Sequence, residues 1–170
     1  MSPAQTDHLD QILEQWRRER PDLDMESLGV AGRLLRLTSY IDQKFTLAAE
    51  SEFGLNRGQT DVLMALRRSG PPYRMSPTDL FSSMMVSSGC MTHRLDRLEG
   101  EGLVERFPDP ADRRGIKVGL TDKGFALSER LLPVSRQVME PISADLSADE
   151  RRQLSDLLRR MLLRIEGAQQ

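Results

Sequence analysis

Three consecutive charged residues, Asp112, Arg113 and Arg114, stand in the segment PADRRGIKVGL, residues 110–120. A proline precedes them and an alternating apolar pattern follows, so we predict that the arginines lie on the turn of a β-hairpin. Extended arginine side chains on a narrow tip can reach into the minor groove of DNA, where the negative potential is deepest. Asp112 can hold one guanidinium in a bidentate salt bridge and orient the other. The alternative is a charged turn that is merely solvated.

A second group of candidate residues lies on the helix predicted before this hairpin. At about 100° per residue, Leu95 and Leu98 fall near Met91 and form a narrow buried stripe. The opposite side offers a hydroxyl, an imidazole and a guanidinium for base edges and phosphates. Its members are Gly89, Thr92, His93, Asp96 and Arg97. Arg94 lies beside the buried stripe and should point sideways or inward. The alternative is that this is the ordinary polar face of a surface helix.

Serine residues are expected to begin two helices of this region. Ser87 or Ser88 is predicted to cap the helix just described, and a helix N-terminus attracts phosphate groups. Ser76 precedes Pro77, a typical start of a short helix. The predicted DNA-binding residues are Ser76, Ser87, Ser88, Gly89, Thr92, His93, Arg97, Asp112, Arg113 and Arg114.

The spacing of apolar residues, caps and breakers predicts the elements that position these groups. Helices are expected at 4–18, 25–52, 56–69, 77–82 and 87–102. A further helix begins at residue 121, bends at Pro133 and ends at Pro141, and a final helix follows the capping box at 147–150. Strands are expected at 103–107 and 116–120. Three helices followed by a hairpin are the order of a winged helix-turn-helix. We therefore predict a mainly α fold with a small β-hairpin wing.

Composition limits the classes of function. The chain has 170 residues with 38% apolar and 29% charged residues, a formal net charge of -2 and a pI near 5.8. That balance argues against a protein that coats nucleic acid without specificity, but it allows a binder whose positive charge is local. The N-terminus does not resemble a signal peptide, and no apolar run approaches a membrane span. We expect a cytoplasmic protein that does not bind membranes.

The sequence offers little for catalysis or metal binding. Cys90 is the only cysteine, and the two histidines, His8 and His93, stand far apart without a Cys/His cluster. We find no P-loop, dinucleotide-binding motif or nucleophile–base set. The prediction is a protein that is not an enzyme, with no catalytic residues, no metal site and no cofactor.

Residues 87–106, SSGCMTHRLDRLEGEGLVER, followed by DPADRRGIKVGLTDKG, resemble the MarR family of transcriptional regulators. The resemblance runs from about Leu28 to Ile165. It implies a homodimer that binds double-stranded DNA at a pseudopalindromic site, with small anionic aromatic ligands that relieve repression. The implied organisation is an extra N-terminal helix at 1–20, a helical dimerisation region at 25–53 and 121–166, and a winged helix-turn-helix DNA-binding lobe at 54–120.

A narrower resemblance is to the urate-responsive branch of that family, the HucR and PecS type. That branch has an extra N-terminal helix with a tryptophan, and the matching ligand-binding positions here are Trp16, Asp61, Arg94 and Arg106. The resemblance implies that urate or a similar anion meets the arginines and repels Asp61, and so repositions the helix that carries Arg94. Trp16 could instead be a core residue that clamps the extra helix, and Asp61 a plain helix-face salt bridge. Two alternative regulators remain: one that responds to a phenolic acid, and one in which Cys90 is a redox-sensing thiol.

Overall fold

The computed structural model describes residues 6–84, 91–110 and 112–168, with positions 113 and 114 described through their backbone. In chain order the elements are α1 (His8–Glu19), α2 (Glu26–Phe53), α3 (Arg57–Arg68), β1 (Arg74–Met75), α4 (Pro77–Ser83), α5 (Met91–Gly100), β2 (Val104–Asp109), β3 (Asp112–Leu120), α6 (Asp122–Met139), a 3-10 turn (Glu140–Ser143) and α7 (Ala148–Gly167). The predicted mainly α fold with a small wing is confirmed. Within the described ranges, no helix is long and apolar enough to span a bilayer.

Local capping explains where the main helices begin. Asn56 accepts a hydrogen bond from the backbone N–H of Gln59 at 3.1 Å, and the Gln59 side chain accepts one from the N–H of Asn56 at 3.1 Å. Ser147 and Glu150 form the same reciprocal box at the start of α7. Thr121 caps α6 by accepting from the N–H of Gly124 at 3.0 Å. These three caps were predicted and are confirmed, because each depends on side chains within one turn of the helix.

The extra helix α1 is seated on glycines of α2. A Cβ atom built at Gly32 would lie 2.5 Å from Cδ1 of Leu9, and one built at Gly29 would lie 3.1 Å from Cδ1 of Leu13. Both leucines are buried and pack against the backbone of α2 at these glycines. Arg33 adds ion pairs to Asp7 at 2.8 Å and to Asp10 at 2.7 Å. Hydrogen bonding to Arg33 is the largest cause of the lowered pKa of Asp7.

The start of α1 and the position of Trp16 differ from expectation. Asp7 caps the helix in a box with Asp10, so the helix begins at His8 rather than at residue 4. Trp16 is 44% exposed, in contrast to Leu9 and Leu13 on the same helix. In the single chain Trp16 is therefore not a core residue that clamps the extra helix.

The wing is a three-stranded antiparallel sheet in the order β1-β3-β2. Its edge strand β1 was not predicted, because two residues are too few to show an alternating pattern. Arg74 pairs with Gly119 and Met75 pairs with Val118, which ties the base of the wing to the start of α4.

The two long strands of the wing extend further than predicted and contain a bulge. Pro108 pairs with Ile116, whereas the next residue of β2, Asp109, pairs with Asp112. Residues 113–115 of β3 therefore have no paired residue on β2 and form the bulge. A proline has no N–H to give to the ladder, which favours such an irregularity. Arg113 and Arg114 thus belong to a bulged part of β3 rather than to the turn itself. Pro110, which follows β2, lies in the turn.

Glycine at position 115 suits the crowded interior of this bulge. A Cβ atom there would lie 3.1 Å from the Cβ atoms of both Asp109 and Asp112 and 3.3 Å from the backbone oxygen of Asp112. Any larger residue would push the two aspartates apart. The backbone of the arginine pair is therefore placed by its neighbours Pro108 and Gly115.

The hydrophobic core lies inside the lobe formed by α3, α4, α5 and the base of the wing, and it continues to α6 and the end of α2. Its fully buried large side chains include Leu55, Leu63, Leu66, Leu80, Leu98, Val104, Val118 and Leu131. α7 contrasts with this lobe, because none of its residues is buried. The helix α5 and the wing therefore share one rigid core, whereas α7 leaves its apolar side chains uncovered.

Candidate nucleic-acid interface and ligand site

The helix α5 has the two faces that its sequence predicted. Leu95 and Leu98 are 3% and 0% exposed and fix the helix to the core. Thr92 and His93 are exposed at the other side, where base edges of a duplex could be reached. Of the remaining predicted residues, Ser87, Ser88 and Gly89 lie outside the described residues, as does Cys90.

Charged residues on the outer side of α5 are partly engaged within the lobe. Arg97 pairs with Glu101 at 3.2 Å, and Glu101 also accepts hydrogen bonds from the amide of the buried Gln59 at 3.3 and 3.4 Å. Asp96 pairs with Arg106. A base or phosphate contact by Arg97 would therefore compete with Glu101 for the guanidinium.

Ser76 is occupied as the cap of α4. Its hydroxyl accepts from the N–H of Asp79 at 3.1 Å and donates to the Asp79 carboxylate at 2.7 Å. The predicted cap is confirmed, while the contact of Ser76 with DNA stays a prediction.

Asp112 is exposed at the tip of the wing, next to the bulge that holds Arg113 and Arg114. The neighbouring Lys117 pairs with Asp109 at 3.5 Å, which neutralises one aspartate of the tip. The predicted salt bridge between Asp112 and one arginine of the pair involves arginine side chains that lie outside the described part of the chain.

Arg106 fastens the wing to α5. Its guanidinium donates to Asp96 at 2.5 Å and to Glu99. The hydrogen bond to Asp96 is the largest cause of the raised pKa of Arg106. Arg106 also lines a largely apolar cavity of about 350 Å³ between α4, α5 and β3, together with Phe81 and Thr92.

Asp61 and Arg94, two of the four predicted ligand residues, are brought together between α3 and α5. Arg94 approaches α3 so closely at Gly58 that a Cβ atom there would lie 2.6 Å from its Nε and 2.8 Å from its Cζ. Its charge acts on Asp61 one turn further along α3 and partly offsets the rise in the pKa of that carboxyl that burial causes. The inward direction predicted for Arg94 is confirmed.

The sequence interpretation missed Arg57, the third member of this cluster. Its Nε lies 3.0 Å from Asp61, and its guanidinium stands 4.9 Å above the ring of Phe45 and 3.6 Å from Asp42. The signal was present, because Arg57 and Asp61 stand four residues apart on one helix, a spacing that favours an ion pair. Asp61 is thus more than a plain helix-face salt bridge, since two guanidinium groups from two helices act on it.

Arg106 and Trp16, the other two predicted ligand residues, have different contacts from those of the cluster around Asp61. Arg106 is held by carboxylates of α5, and Trp16 lies on α1, which packs along α2. Within the described ranges, no group of three or more His, Cys, Asp or Glu side chains could hold a metal ion.

We expect Asp61→Asn to leave the melting temperature unchanged or to raise it. Burial is the largest influence on Asp61 and raises its pKa above the ordinary 3.8, against the opposing effect of Arg57 and Arg94. The ionised carboxylate is therefore less favourable in the folded than in the unfolded chain. This cost is fully present above the raised pKa and disappears as the pH falls below 3.8. A neutral amide removes it at all pH values.

Thermal unfolding of the wild type and Asp61→Asn at neutral and mildly acidic pH checks this expectation. The wild type should approach the variant on acidification. A melting temperature of Asp61→Asn several degrees below that of the wild type at neutral pH would show that the ion pairs outweigh burial.

Known proteins share this arrangement of lobe and wing. A model of the MarR family matches residues 55–116. The HTH-type transcriptional regulator PecS of Dickeya dadantii (strain 3937) is 39% identical over 150 residues, which are 88% of this chain and 90% of PecS. The predicted resemblance is confirmed by both findings.

Two solved structures extend the comparison. A mutant MarR from E. coli complexed with operator DNA is 29% identical, with a TM-score of 0.68 over 81% of this chain and 97% of that one. BpsR of Bordetella bronchiseptica, whose DNA binding is regulated by 6-hydroxynicotinic acid, is 30% identical, with a TM-score of 0.65 over 76% and 91% of the two chains. Together with the similarity to PecS over nearly the full length, these matches show that the chain belongs to the MarR family of winged helix-turn-helix transcriptional regulators.

Proposed function

We propose that this protein is a homodimeric repressor that binds a pseudopalindromic operator and leaves it when a small anionic aromatic ligand, with urate as the first candidate, binds near Asp61 and Arg94. One observation carries the proposal: a single helix, α5, exposes Thr92 and His93 on one side and, on the other, places Arg94 against α3, where its charge acts on Asp61. A ligand that moves Arg94 therefore acts on the helix that would read the DNA. Other ligand switches act in the same way, through a local change of charge that shifts an equilibrium between two conformations.

Uncovered apolar side chains support a second copy of the chain as partner. α2 and α7 expose large apolar residues, each at least 40% accessible: Val30, Leu35, Leu37, Tyr40 and Leu47 on α2, and Leu154, Leu157, Met161, Leu162, Leu163 and Ile165 on α7. Contiguous apolar patches of this kind mark interaction surfaces. A twofold dimer through these helices would place two copies of α5 and the wing on one duplex, as a palindromic site requires.

The charges of the cluster and the relatives support this ligand class. Urate is a flat monoanion at neutral pH, and guanidinium groups bind such anions through charge-assisted hydrogen bonds. In this proposal Arg94 and Arg106 meet its charge, the indole of Trp16 donates to it or shields it from water, and Asp61 is repelled. Arg106 would first have to release Asp96 or Glu99. The regulation of BpsR by an aromatic acid supports the same ligand class.

Titration of the protein with a DNA fragment from upstream of its own gene, in the absence and presence of urate, tests the proposal. We expect a dimer by light scattering and specific, salt-sensitive binding. Saturating urate should raise the apparent Kd about 5- to 150-fold, the usual range of coupling between two sites. Salicylate tests for a phenolic acid response and hydrogen peroxide for a thiol response. A monomer, or unchanged affinity with every candidate anion, would contradict the proposal.

A further inference from the structure

Two guanidinium groups converge on one poorly hydrated carboxylate at the junction of α3 and α5. Arg57 reaches Asp61 along α3 with its Nε at 3.0 Å, and Arg94 of α5 lies against α3 at Gly58, where its charge acts on Asp61. The Asp61 side chain is only 14% exposed and that of Arg57 only 22%. At such burial, a charge pair is costly to desolvate and is retained in many proteins for function rather than for stability.

The position of Arg57 is fixed independently of Asp61. Its guanidinium lies over the ring of Phe45 at 4.9 Å, and Phe45 is 4% exposed. Asp42, a more exposed carboxylate on the same face of α2, lies 3.6 Å from Nη1. The stacked ring and Asp42 would keep the guanidinium in place if Asp61 withdrew. A preorganised cation of this kind binds an incoming anion without a new ordering cost.

Gly58 supplies the space in which the second guanidinium lies. A Cβ atom at position 58 would come within 3.0 Å of Cδ, Nε and Cζ of Arg94. No side chain therefore separates Arg94 from the surface of α3 between Arg57 and Asp61. The glycine brings the two guanidinium groups to the same turn of α3, although they belong to different helices.

We propose that Arg57 is a ligand-binding residue: a planar organic monoanion takes the place of Asp61 between the guanidinium groups of Arg57 and Arg94, on the surface left open by Gly58. This inference rests on the proposed function and adds a residue to its ligand site. The buried carboxylate is a suitable group to displace, because its charged form is disfavoured where it stands. The anion exchanges one set of charge-assisted hydrogen bonds for another, and Asp61 moves towards solvent or takes up a proton.

The same geometry links the ligand to the long helix α2. Arg57 contacts Asp42 and Phe45 of α2, and Arg94 belongs to α5. An anion held by both arginines would therefore connect α2, α3 and α5 through one bound molecule. Since α2 carries part of the proposed dimer surface, the spacing of the two α5 helices on DNA becomes sensitive to ligand.

Calorimetric titration of full-length variants with urate, and in parallel with salicylate, tests the inference. We expect Arg57→Gln to weaken binding of whichever anion the wild type binds by about 10- to 100-fold, the usual effect of removing a hydrogen bond to a charged group. Arg57→Lys should recover part of the affinity. Gly58→Ala, which displaces the Arg94 guanidinium without removing any charge, should weaken binding by about tenfold or more.

Two matched controls separate ligand contact from general damage. Arg67→Gln removes an arginine from the same helix that is 28% exposed and paired with Glu129 at 2.6 Å. Gly100→Ala adds a methyl group to a helical glycine with no atom within 4 Å of the new carbon. Both should bind the anion as the wild type does. Circular dichroism and thermal unfolding confirm that each variant is folded.

Asp61→Asn moves the affinity in the opposite direction. If the anion displaces Asp61, removal of the competing charge should tighten binding severalfold, whereas a purely structural ion pair gives no reason for tighter binding. The response of DNA binding should nevertheless weaken, because the variant no longer has the repulsion between ligand and Asp61.

The outcomes distinguish this inference from the proposed function. If the wild type binds urate or salicylate and Arg57→Gln binds it equally well, Arg57 is not a ligand residue while the regulatory proposal stands. The inference is likewise overturned if Arg67→Gln loses as much affinity as Arg57→Gln. If the wild type binds neither anion, both the proposed ligand response and this inference are wrong.

Discussion

Replacement of Arg113 and Arg114 together by alanine is expected to lower the affinity for operator DNA by about 30-fold or more. The backbone of both residues lies in the bulge of β3, beside the turn that forms the tip of the wing. An arginine that contacts the duplex contributes about 1–3 kcal/mol, so two of them account for at least about a factor of 30. Fluorescence anisotropy with a labelled operator fragment measures the change.

The dependence on salt and a charge-matched control give this prediction its specificity. For each arginine that binds a phosphate, its removal should reduce the slope of log K against log salt by about 0.9. Arg136 and Arg152 are exposed and lie outside residues 54–120; Arg136 pairs with Glu140 just after α6, and Arg152 pairs with Asp149 within α7. The double variant Arg136→Ala with Arg152→Ala removes the same two charges and should bind almost normally. If both double variants lost the same affinity for DNA, the wing arginines would contribute to binding only through the net charge of the protein.

Much of the fold could be predicted because its signals are local. The capping boxes at Asn56 and Ser147 involve partners three residues apart, and the two faces of α5 follow from helical periodicity alone. The alternation of Ile116, Val118 and Leu120 predicted the second strand of the hairpin. In each case the information that decides the structure lies within two turns of helix or one short strand.

Other features depend on contacts that no local pattern contains. The bulge that carries the arginine pair arises from the pairing of Pro108 with Ile116 across the hairpin. The close approach of Arg94 to α3, beside Asp61, depends on the space above Gly58, a residue that carries no side chain of its own. The family resemblance was enough to identify Asp61 and Arg94 from the sequence. The position of Arg57 beside them could not be predicted, because it depends on how α3 packs against α2 and α5.

The four ligand residues inferred by resemblance therefore have unequal support. Asp61 and Arg94 share one cluster, which favours a common role. Arg106 is already engaged by Asp96 and Glu99, and its first effect is to hold the wing on α5. Trp16 lies on a helix that is attached to α2 through Leu9, Leu13 and Arg33. For both, a contact with the ligand needs a rearrangement or a contribution from a second copy of the chain.

The first turn of α6 is held against the segment that enters the wing. The N–H of Thr121 donates to the carbonyl of Leu103 at 3.2 Å, and its hydroxyl donates to the carbonyl of Gly102 at 2.8 Å. Lys123 donates from Nζ to the carbonyl of Glu101 at 2.7 Å. These bonds join α6 to the segment between α5 and β2, so the relative position of α6 and the wing is closely determined.

Gly124→Ala is therefore expected to destabilise the protein by about 3 kcal/mol or more, at the upper end of the range for added methyl groups. The new Cβ would lie 1.9 Å from the carbonyl oxygen of Leu103 and 2.9 Å from its carbonyl carbon. Both are backbone atoms of a residue that is 3% exposed, so no side-chain rotation relieves the clash. In a chain of this length the melting temperature should fall by about 6–12 °C.

Gly100→Ala is the matched control, because its added carbon meets no atom within 4 Å and alanine favours a helix by up to about 1 kcal/mol over glycine. Its melting temperature should equal or slightly exceed that of the wild type at the same protomer concentration. If the melting temperature of Gly124→Ala lies within a degree or two of that of this control, α6 and the segment around Leu103 can separate at little cost in free energy. A folded Gly124→Ala protein with weakened operator binding would instead show that the contact between α6 and Leu103 affects the position of the DNA-binding residues.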